Sequence, residues 1–453
     1  MAYWAVVPKV LIAGGGLAGL AAAAALGSAR FEVDVFESRP FLGGRATSYQ
    51  VPGLSTDSSD LNEEPEAIDN CQHVLLRCCV NLLDFYKRLG SDHQIRFHGE
   101  FYFLEPGGRV SVLERGIFPA PFHFLGSFFR LTFLDWRDKL AIARALLALR
   151  RERTRRADLD SISMLDWLVE KRQTKHAIGR FWRQVLVSAI NEDLERMAAR
   201  HGFQVFWEGF LARADGYEMG VPAVPLGQLY SAEAWQKFPS VHLHLRSPVE
   251  RISPEGFSVC SRLVTADYYI CALPFERLQA AGLAAPKLAH SPITGVHLWF
   301  DRQITTLSHA TLLDRTMQWM FNKKDGRYLQ LVVSASRGLT DLSRGEIIDL
   351  TLSDLADFFP GVREARLLQA HVVKEQRATF SAAPHTEALR ADCRTNMPNL
   401  FLAGDWTRTG WPATMEGAVR SGYLAAEAVT RAAGRSQTFL VGQAQRGSAE
   451  WRG

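Results

Sequence analysis

The sequence has few cysteines and little excess charge. Its six cysteines, at positions 71, 78, 79, 260, 271 and 393, follow neither a metal-ligand spacing nor a disulfide framework. They are therefore expected to be reduced thiols of a cytoplasmic protein that holds no metal. The net charge of +4 over 453 residues gives no argument for a nucleic-acid partner, and no groove-reading motif accompanies the basic residues.

Long apolar runs are also scarce, since the sequence has only one, at residues 10–26. Three glycines lie in this run and a strand pattern follows it, which is typical of a nucleotide-binding βαβ unit rather than a signal peptide. No other stretch approaches the roughly 18 uninterrupted apolar residues that cross a bilayer. The sequence therefore predicts no membrane span, but it leaves contact with a membrane surface open.

Residues 9–37 have the pattern strand, glycine turn, helix, strand. The glycines have the G-x-G-x-x-G spacing, in which the first allows a tight turn, the second lets the backbone approach a pyrophosphate and the third brings helix and strand together. These residues are Gly14, Gly16 and Gly19. Leu17 and Ala18 open a helix whose N-terminal amides are expected to bind the phosphates.

A carboxylate and a second glycine pair follow this unit. Glu37 lies about 20 residues past the glycines, where an acid accepts the ribose hydroxyls of a dinucleotide, and its charge disfavours a 2′-phosphate. Gly43 and Gly44 permit close backbone approach, and Arg45 offers a planar cation. A Gly-Gly-Arg sequence at this place resembles the second fingerprint of flavoenzymes similar to amine oxidases and phytoene desaturases. It shifts the predicted cofactor from NAD to FAD, with Ser38 and Arg39 in the same site.

Residues 399–429 repeat a strand–turn–helix pattern near the end of the chain. Asp405, in the turn, is predicted to bind the ribityl or pyrophosphate part of FAD, and the backbone of Val249 falls where the adenine is expected. The predicted cofactor contacts in this half of the sequence are Val249, Gly404, Asp405, Thr414, Met415 and Ala418. Glu416 has two interpretations, a catalytic carboxylate or, as favoured, a first-turn acid that balances the helix macrodipole.

Candidate catalytic residues lie in residues 69–90. Apolar positions recur there at helical spacing from Val74 to Leu89, so polar side chains are expected to cluster at the start of a helix. They are Asp69, Asn70, Gln72 and His73. A plain N-cap role for Asp69 or Asn70 is the structural alternative.

Residues 101–149 contain eight of the 27 phenylalanines and lead into a basic segment, residues 150–156. One interpretation is a buried helical subdomain that ends in a solvated basic turn. The other is a monotopic membrane face, with aromatic groups in the lipid and arginines on anionic headgroups. Residues 162–213 are also helical and aromatic, which favours a core role over a substrate wall.

Together, the fingerprints GGGLAGL, GGR and GDWTRTGWPATMEGAVRSG resemble the flavin amine oxidase–phytoene desaturase superfamily. Within it, DNCQHVLL, FWRQVLVSAIN and PITGVHLWFDR are similar to the squalene-associated FAD-dependent hydroxysqualene dehydroxylases of hopanoid gene clusters. One departure is Cys71, where that family usually has glycine.

The resemblance implies an α/β fold with a discontinuous Rossmann-type FAD domain, a mixed β-sheet substrate domain and a helical subdomain. The FAD domain is expected at residues 1–75, 219–285 and 395–435. The substrate domain is expected at 76–115 and 286–394, the helical subdomain at 116–218 and a frayed tail at 436–453.

The implied reaction replaces the allylic hydroxyl of hydroxysqualene with hydride from reduced flavin. It needs an acid near the hydroxyl, for which Asp69 and His73 are the candidates, with Gln72 orienting the oxygen. A C30 isoprenoid also needs a long apolar tunnel, which the aromatic residues of 101–210 fit. The electron donor stays unidentified, because the sequence has no second dinucleotide motif.

Three other functions remain open. A carotenoid-type desaturase would run hydride transfer in the opposite direction, and the sequence does not set that direction. An amine oxidase usually has a lysine in the substrate-sheet strand near the flavin, but no lysine lies between Lys287 and Lys323. A non-catalytic flavin- or lipid-binding protein is the third. The expected location is the cytoplasm, at the inner face of the cell membrane if the aromatic region meets lipid.

Overall fold

The computed structural model describes residues 7–51 and 66–442. The polar, acidic loop predicted over residues 52–66 lies outside these residues except for Glu66, as do the last residues of the predicted tail, 443–453. Among the described residues, no helix combines the length and the apolar character that a membrane crossing requires.

The strands are numbered in chain order. They are β1 (Lys9–Ala13), β2 (Glu32–Phe36), β3 (Ser48–Val51), β4 (Glu66–Asp69), β5 (Leu75–Leu76), β6 (Ile95–His98), β7 (Glu100–Leu104), β8 (Val110–Glu114), β9 (Met219–Pro222), β10 (Val241–His244), β11 (Val249–Ser253), β12 (Gly256–Val259), β13 (Arg262–Val264), β14 (Tyr268–Cys271), β15 (His290–Phe300), β16 (His309–Leu312), β17 (Trp319–Lys324), β18 (Tyr328–Ser334), β19 (Leu367–Phe380) and β20 (Leu400–Leu402).

The α-helices are numbered in the same way. They are α1 (Leu17–Ser28), α2 (Val80–Leu89), α3 (Leu125–Arg130), α4 (Trp136–Glu152), α5 (Met164–Glu170), α6 (Lys175–Ala177), α7 (Arg183–Ile190), α8 (Ala199–Val205), α9 (Arg344–Phe358), α10 (Thr386–Leu389) and α11 (Met415–Ala432).

A five-stranded parallel sheet, in the order β10–β2–β1–β14–β20, forms the nucleotide-binding part. Its strands come from the start, the middle and the end of the chain. The helices α1 and α11 pack so closely that a Cβ on Gly422 would lie 2.2 Å from the carbonyl oxygen of Ala18. This architecture confirms the predicted α/β class with a discontinuous Rossmann-type domain; the exact domain boundaries stay predictions.

A seven-stranded mixed sheet, in the order β19–β15–β18–β17–β16–β7–β8, forms the second part. One face is covered by α9, since Leu298 and Leu331 share a buried cluster with Leu355. Side chains of the opposite face, such as Phe103 and Phe321, belong to a cluster shared with the helical region. We call this opposite side the substrate face, because it looks toward the predicted catalytic segment.

The helical region spans residues 125–211 and contains two π-helical turns, Ile178–Trp182 and Phe206–Leu211. The first continues α6 into α7, and the second extends α8. The rings of Trp182 and Phe206 lie 4.6 Å apart between their centroids, and both are fully buried. These two residues have the favoured core role, as do the buried Trp167 and Phe181, whereas Trp207 and Phe210 are partly exposed.

The helix predicted from Val74 begins later, at Val80. Residues 66–69 and 75–76 are strands instead, and Leu75 pairs with Gly220 of β9. The burial of Leu75 therefore comes from a sheet, although its position in the sequence also fits a helical period. Neither Asp69 nor Asn70 caps α2, whose N-cap is Cys79, so that alternative is wrong for the predicted helix.

The part of the predicted frayed tail that the structure describes is docked on the fold. The amides of Phe439 and Leu440 donate hydrogen bonds to Glu427 Oε1 at 2.8 and 2.9 Å. The amide of Val441 donates to Asn81 Oδ1 at 2.8 Å, and Phe439 is buried. The prediction of a frayed segment is therefore wrong for residues 436–442, because these partners lie far away in the sequence.

Candidate active site

The glycine turn after β1 has the geometry that its spacing predicts. Gly14 has a φ of +108°, and a Cβ there would lie 2.8 Å from the carbonyl oxygen of Ala272. A Cβ on Gly19 would lie only 2.0 Å from the carbonyl oxygen of Gly14, so the close helix–strand contact requires glycine. A Cβ on Gly16 would meet only Gly44 Cα, at 3.9 Å. The space at Gly16 is therefore open toward the second glycine pair.

The glycine turn after β1 and the pair Gly43–Gly44 contact each other. We call the backbone surface that they form together the cradle. Gly43 donates its amide to the carbonyl oxygen of Gly15 at 2.8 Å, and Gly43 and Gly44 have φ values of +99° and +64°. The first turn of α1 begins with Leu17 and Ala18, beside this contact. A helix N-terminus with open backbone space in front of it suits a phosphate group, so these residues fit the pyrophosphate of FAD.

Glu37 lies at the edge of the cradle and is buried. Its Oε2 accepts the amide of Gly15 at 2.8 Å, and its Oε1 accepts the amide of Arg39 at 2.8 Å and the hydroxyl of Ser38 at 3.1 Å. The amide of Ser247 donates to the Glu37 carbonyl oxygen at 2.8 Å, two residues before Val249. The structure thus brings the predicted ribose and adenine contacts together.

Arg45 joins this region to the end of the chain. Its guanidinium contacts Asp405 Oδ1 at 2.7 Å and donates to the carbonyl oxygen of Ala378 at 2.9 Å. Asp405 is buried, and Thr414 caps α11 by accepting the amide of Gly417 at 3.1 Å. Met415 and Ala418 follow in the first turn of α11, partly exposed. The GGR and GDW fingerprints therefore meet in one site.

The predicted catalytic residues lie next to Arg45. Asp69 is buried, and its Oδ1 accepts the Ser48 hydroxyl at 2.7 Å and the amide of Leu226 at 2.9 Å. Lys323 Nζ lies 3.7 Å from Asp69 Oδ2 and donates to Gln72 Oε1 at 3.0 Å. Asp69 is therefore surrounded by donors, which suits a carboxylate that accepts hydrogen bonds.

His73 faces the same cluster. Its Nδ1 lies 2.8 Å from the carbonyl oxygen of Cys71, so Nδ1 carries the hydrogen. Burial lowers the pKa of His73 against the opposing effect of the Asp69 carboxylate, and the cations of Arg45 and Lys323 lower it further. The imidazole is therefore neutral, and its Nε2 is an acceptor.

Lys323 is a residue that sequence reasoning missed. An amine oxidase is expected to have a lysine in the substrate-sheet strand, but β15 has none, and a Cβ on its Gly295 would lie 3.5 Å from the Asn70 carbonyl oxygen and 3.8 Å from the Cys71 sulfur. Lys323 comes from β17, at a register shift between Asn322 and Lys324. Such a bulge re-aims a side chain. Burial lowers the pKa of Lys323, and the Asp69 carboxylate partly offsets this effect.

Cys71 fits the site without strain. Among the described residues it is not one of those with positive φ, so this backbone does not require the glycine that the resemblance leads us to expect there. Burial raises the pKa of the Cys71 thiol to about 12, and Glu375 and Asp69 raise it further. The thiol is therefore protonated and unreactive at neutral pH.

A row of polar side chains crosses the substrate face beside this cluster. Antiparallel register places Gln330 between His297 and Phe321, and opposite residues share a face. Both amide atoms of Gln330 are buried and have no hydrogen-bond partner among the described residues; the same holds for His297 Nε2 and Thr311 Oγ1. Burial lowers the pKa of His297 to about 3, so this ring is neutral.

The sequence matches a known protein family over most of its length. Residues 17–430 match the flavin containing amine oxidoreductases. The chain belongs to this family. It is a flavin-dependent oxidoreductase, so the predicted cofactor FAD and the predicted enzyme class are confirmed, and the residues of the cradle fit that cofactor.

The names of individual similar proteins point to different substrates. The sequence is 27% identical to the hydroxysqualene dehydroxylase of Zymomonas mobilis, over 92% of this chain and 97% of the relative. It is 26% identical to a probable zeta-carotene desaturase of Synechococcus elongatus, over 94% of this chain and 99% of the relative.

Two solved structures share the fold. An oxidoreductase from Methanosarcina mazei has a TM-score of 0.67 at 17% identity, over 91% of this chain and 98% of that one. Putrescine oxidase bound to putrescine has a TM-score of 0.63 at 16% identity, over 95% and 99%.

In this flavin-dependent oxidoreductase, Glu416 supports a neighbouring helix. It is fully buried, and its carboxylate accepts the Asn81 side-chain amide at 2.8 Å and the backbone amide of Leu82 at 2.7 Å. It therefore caps the N-terminus of α2, while burial raises its pKa. The favoured structural interpretation of Glu416 fits these contacts, although the helix that it caps is α2.

Replacing Glu416 with Gln should destabilise the protein, because the NH₂ group takes the place of one of two buried acceptor oxygens and then faces a donor. We expect a loss of about 1–3 kcal/mol in the free energy of unfolding, measured by denaturant unfolding of the holoenzyme. Glu364→Gln, at an exposed position, is the control. Equal stability of the two variants would refute the capping role.

Replacing Gly16 with Ala should weaken FAD binding without harming the fold. The added Cβ has room in the protein but enters the space in front of α1. We expect FAD affinity to fall about tenfold or more, equivalent to about 1.4 kcal/mol, in a flavin fluorescence titration. Gly345→Ala is the matched control, since its Cβ would also meet its nearest neighbour at 3.9 Å. Equal FAD affinity of the two variants would count against the cradle.

Proposed function

We propose that this oxidoreductase removes the allylic hydroxyl of hydroxysqualene reductively to form squalene. The observation that carries the proposal is the buried, unpartnered amide of Gln330 on the substrate face. The similarity to a hydroxysqualene dehydroxylase supports it. The proposed site lies between the seven-stranded sheet, the Asp69–His73 segment and the helical region.

Unpartnered polar atoms favour an oxygenated substrate. A buried amide without a partner costs about 1–3 kcal/mol, and a substrate hydroxyl would satisfy both its donor and its acceptor. A carotene or phytoene is a hydrocarbon and offers no such partner. His297, which lies beside Gln330 in the register, offers at Nε2 an alternative acceptor for the single hydroxyl hydrogen.

Aromatic side chains supply the apolar part of the site. On the substrate face, Trp319 and Phe321 stack with a centroid distance of 5.7 Å, and Phe101 lies 6.1 Å from Trp319. All three belong to or pack against the cluster shared with the helical region. Such walls suit a C30 hydrocarbon chain, while a few polar groups fix the position of its oxygen.

The reaction breaks a C–O bond and forms a C–H bond, and the departing oxygen leaves as water. Reduced FAD, once bound, supplies the hydride. The proton for the oxygen is assigned to Lys323 Nζ, because Asp69 is surrounded by donors and His73 is neutral. Asp69 and Gln72 act as positioning residues that hold the ammonium. The lowered pKa of Lys323 makes its proton easier to donate.

Carotene desaturation is the second candidate, because desaturases match this chain at similar identity. The two functions differ in the direction of hydride transfer. Photoreduced enzyme should convert hydroxysqualene anaerobically into squalene and oxidised flavin, as measured by mass spectrometry and absorbance. Reduction of the oxidised enzyme by phytoene or zeta-carotene, with no squalene formed in the first assay, would establish the alternative.

Gln330→Leu should impair the hydroxylated substrate specifically. Loss of the hydrogen bonds should lower kcat/KM for hydroxysqualene about tenfold to a hundredfold, with FAD content unchanged. Gln279→Leu, at an exposed position, serves as the control and should match the wild type. An unaltered kcat/KM in Gln330→Leu would contradict hydroxyl recognition at this position.

Lys323→Met should lower kcat about 10²- to 10⁴-fold, the usual contribution of a general acid. In the wild type, the active form of Lys323 is protonated, so activity should fall as pH rises through its lowered pKa, below the range of an ordinary lysine. Lys324→Met removes a neighbouring exposed lysine and should keep both activity and profile. A Lys323→Met enzyme with the wild-type pH profile would exclude the assignment.

A further inference from the structure

Exposed aromatic side chains are concentrated on one surface. Every Phe and Trp that is exposed in the described residues lies between positions 117 and 147, together with exposed aliphatic side chains. This group, which we call the apolar ridge, comprises Ile117, Phe118, Phe122, Leu125, Phe129, Trp136, Leu140 and Leu147. Ile117 is 95% exposed. Exposed apolar groups at this density mark an interaction site.

The ridge is continuous across two helices. On α4, Trp136, Leu140 and Leu147 are spaced four and seven residues apart and so share the outer side, while Ile142 and Leu149 point into the core. Lys139 Nζ donates to the carbonyl oxygen of Phe129 at 2.8 Å, which ties the start of α4 to the end of α3. The exposed groups of both helices therefore belong to one surface.

Positive charge is concentrated on the same segment. Residues 115–156 contain ten Arg and Lys and three Asp and Glu, a net charge of +7, whereas the remainder of the chain has −3. Beyond Leu147, a groove of about 330 Å³ is lined by Arg150, Arg151, Thr154 and Arg155. A groove with three guanidinium groups suits phosphate.

We infer that the apolar ridge and its basic groove dock on the surface of an anionic phospholipid bilayer. Phe and Trp side chains enter the boundary between headgroups and acyl chains, and the arginines meet lipid phosphates. Basic residues near an anionic membrane strengthen the attraction of a protein to its surface. An anionic bilayer matches both features, because it offers an apolar boundary for the exposed aromatic groups and negative headgroups for the arginines beside them.

The ridge also connects with the substrate face. Under it, Phe124 lies 4.5 Å from Tyr217 between ring centroids, Tyr217 lies 5.9 Å from Phe101, and Phe101 lies 6.1 Å from Trp319. Substrate entry from the lipid would have to follow this chain of rings, which are packed against one another. This last argument rests on the proposed function, but the docking surface does not.

Vesicle flotation of the full-length holoenzyme, without substrate, tests the docking. The protein should float with vesicles of phosphatidylglycerol and phosphatidylethanolamine and much less with phosphatidylcholine alone, and added salt should weaken the binding. Combined Phe118→Ser, Phe122→Ser and Phe129→Ser changes should lower the bound fraction at least about tenfold, since each removes buried apolar area in the lipid. Combined Arg150→Gln, Arg151→Gln and Arg155→Gln changes should abolish the preference for anionic lipid.

The control variants change exposed residues elsewhere. Leu263→Ser with Leu389→Ser, and Arg262→Gln with Arg394→Gln, should float like the wild type with equal FAD content. The inference is overturned if the wild type does not float, or if the Phe variant floats equally well. It is also overturned if gel filtration shows a wild-type dimer that the Phe changes dissociate, because the ridge would then be a self-interface. Squalene formation does not enter this test, so its outcome is separate from that of the proposed function.

Discussion

The ion pair between Arg45 and Asp405 holds the two ends of the FAD site together. Its partners are 360 residues apart in the sequence, and the Asp405 side chain is only 8% exposed. A buried carboxylate without its cation would be strongly destabilising. The pair forms only when β1 and β20 flank β14 in one sheet. The cradle, the predicted catalytic segment next to Arg45 and the substrate face beside that segment all depend on this closure.

Features set by the local backbone could be predicted from the sequence. The three glycine roles follow from steric contact within a single turn, the capping box of α4 uses Asp135 and Asp138 only three residues apart, and the turn at Asp325 and Gly326 has positive φ at both residues, as such hairpins require. The Rossmann topology could be predicted from the glycine turn in particular, because this fingerprint occurs together with a fixed order of strands and helices.

The contacts that hold the predicted catalytic segment could not be predicted in the same way. Asp69 is held by Leu226, Leu75 pairs with Gly220, and Glu416 reaches α2; each partner is more than a hundred residues away. The place of Lys323 in the site could not be predicted from the sequence for the same reason. Its strand is two positions from β15 in the sheet, and the bulge that aims it is invisible in a period-two pattern. A site whose side chains come from several distant strands can be recognised only once the structure shows how those strands pair.

The direction of hydride transfer cannot be encoded in the FAD cradle, because the same glycines and ion pair serve both oxidation and reduction. What differs is the group next to the reacting carbon. A desaturase must remove hydrogen from a hydrocarbon, and nearby donors have no role in that step. A dehydroxylase must hold and protonate an oxygen. The substrate face has an amide at Gln330 without a partner among the described residues, a neutral His297 and, close by, the partly exposed ammonium of Lys323. A buried amide without a partner carries a free-energy cost that a hydrocarbon would not offset. Under the proposed function, the hydroxyl oxygen of the substrate would offset it.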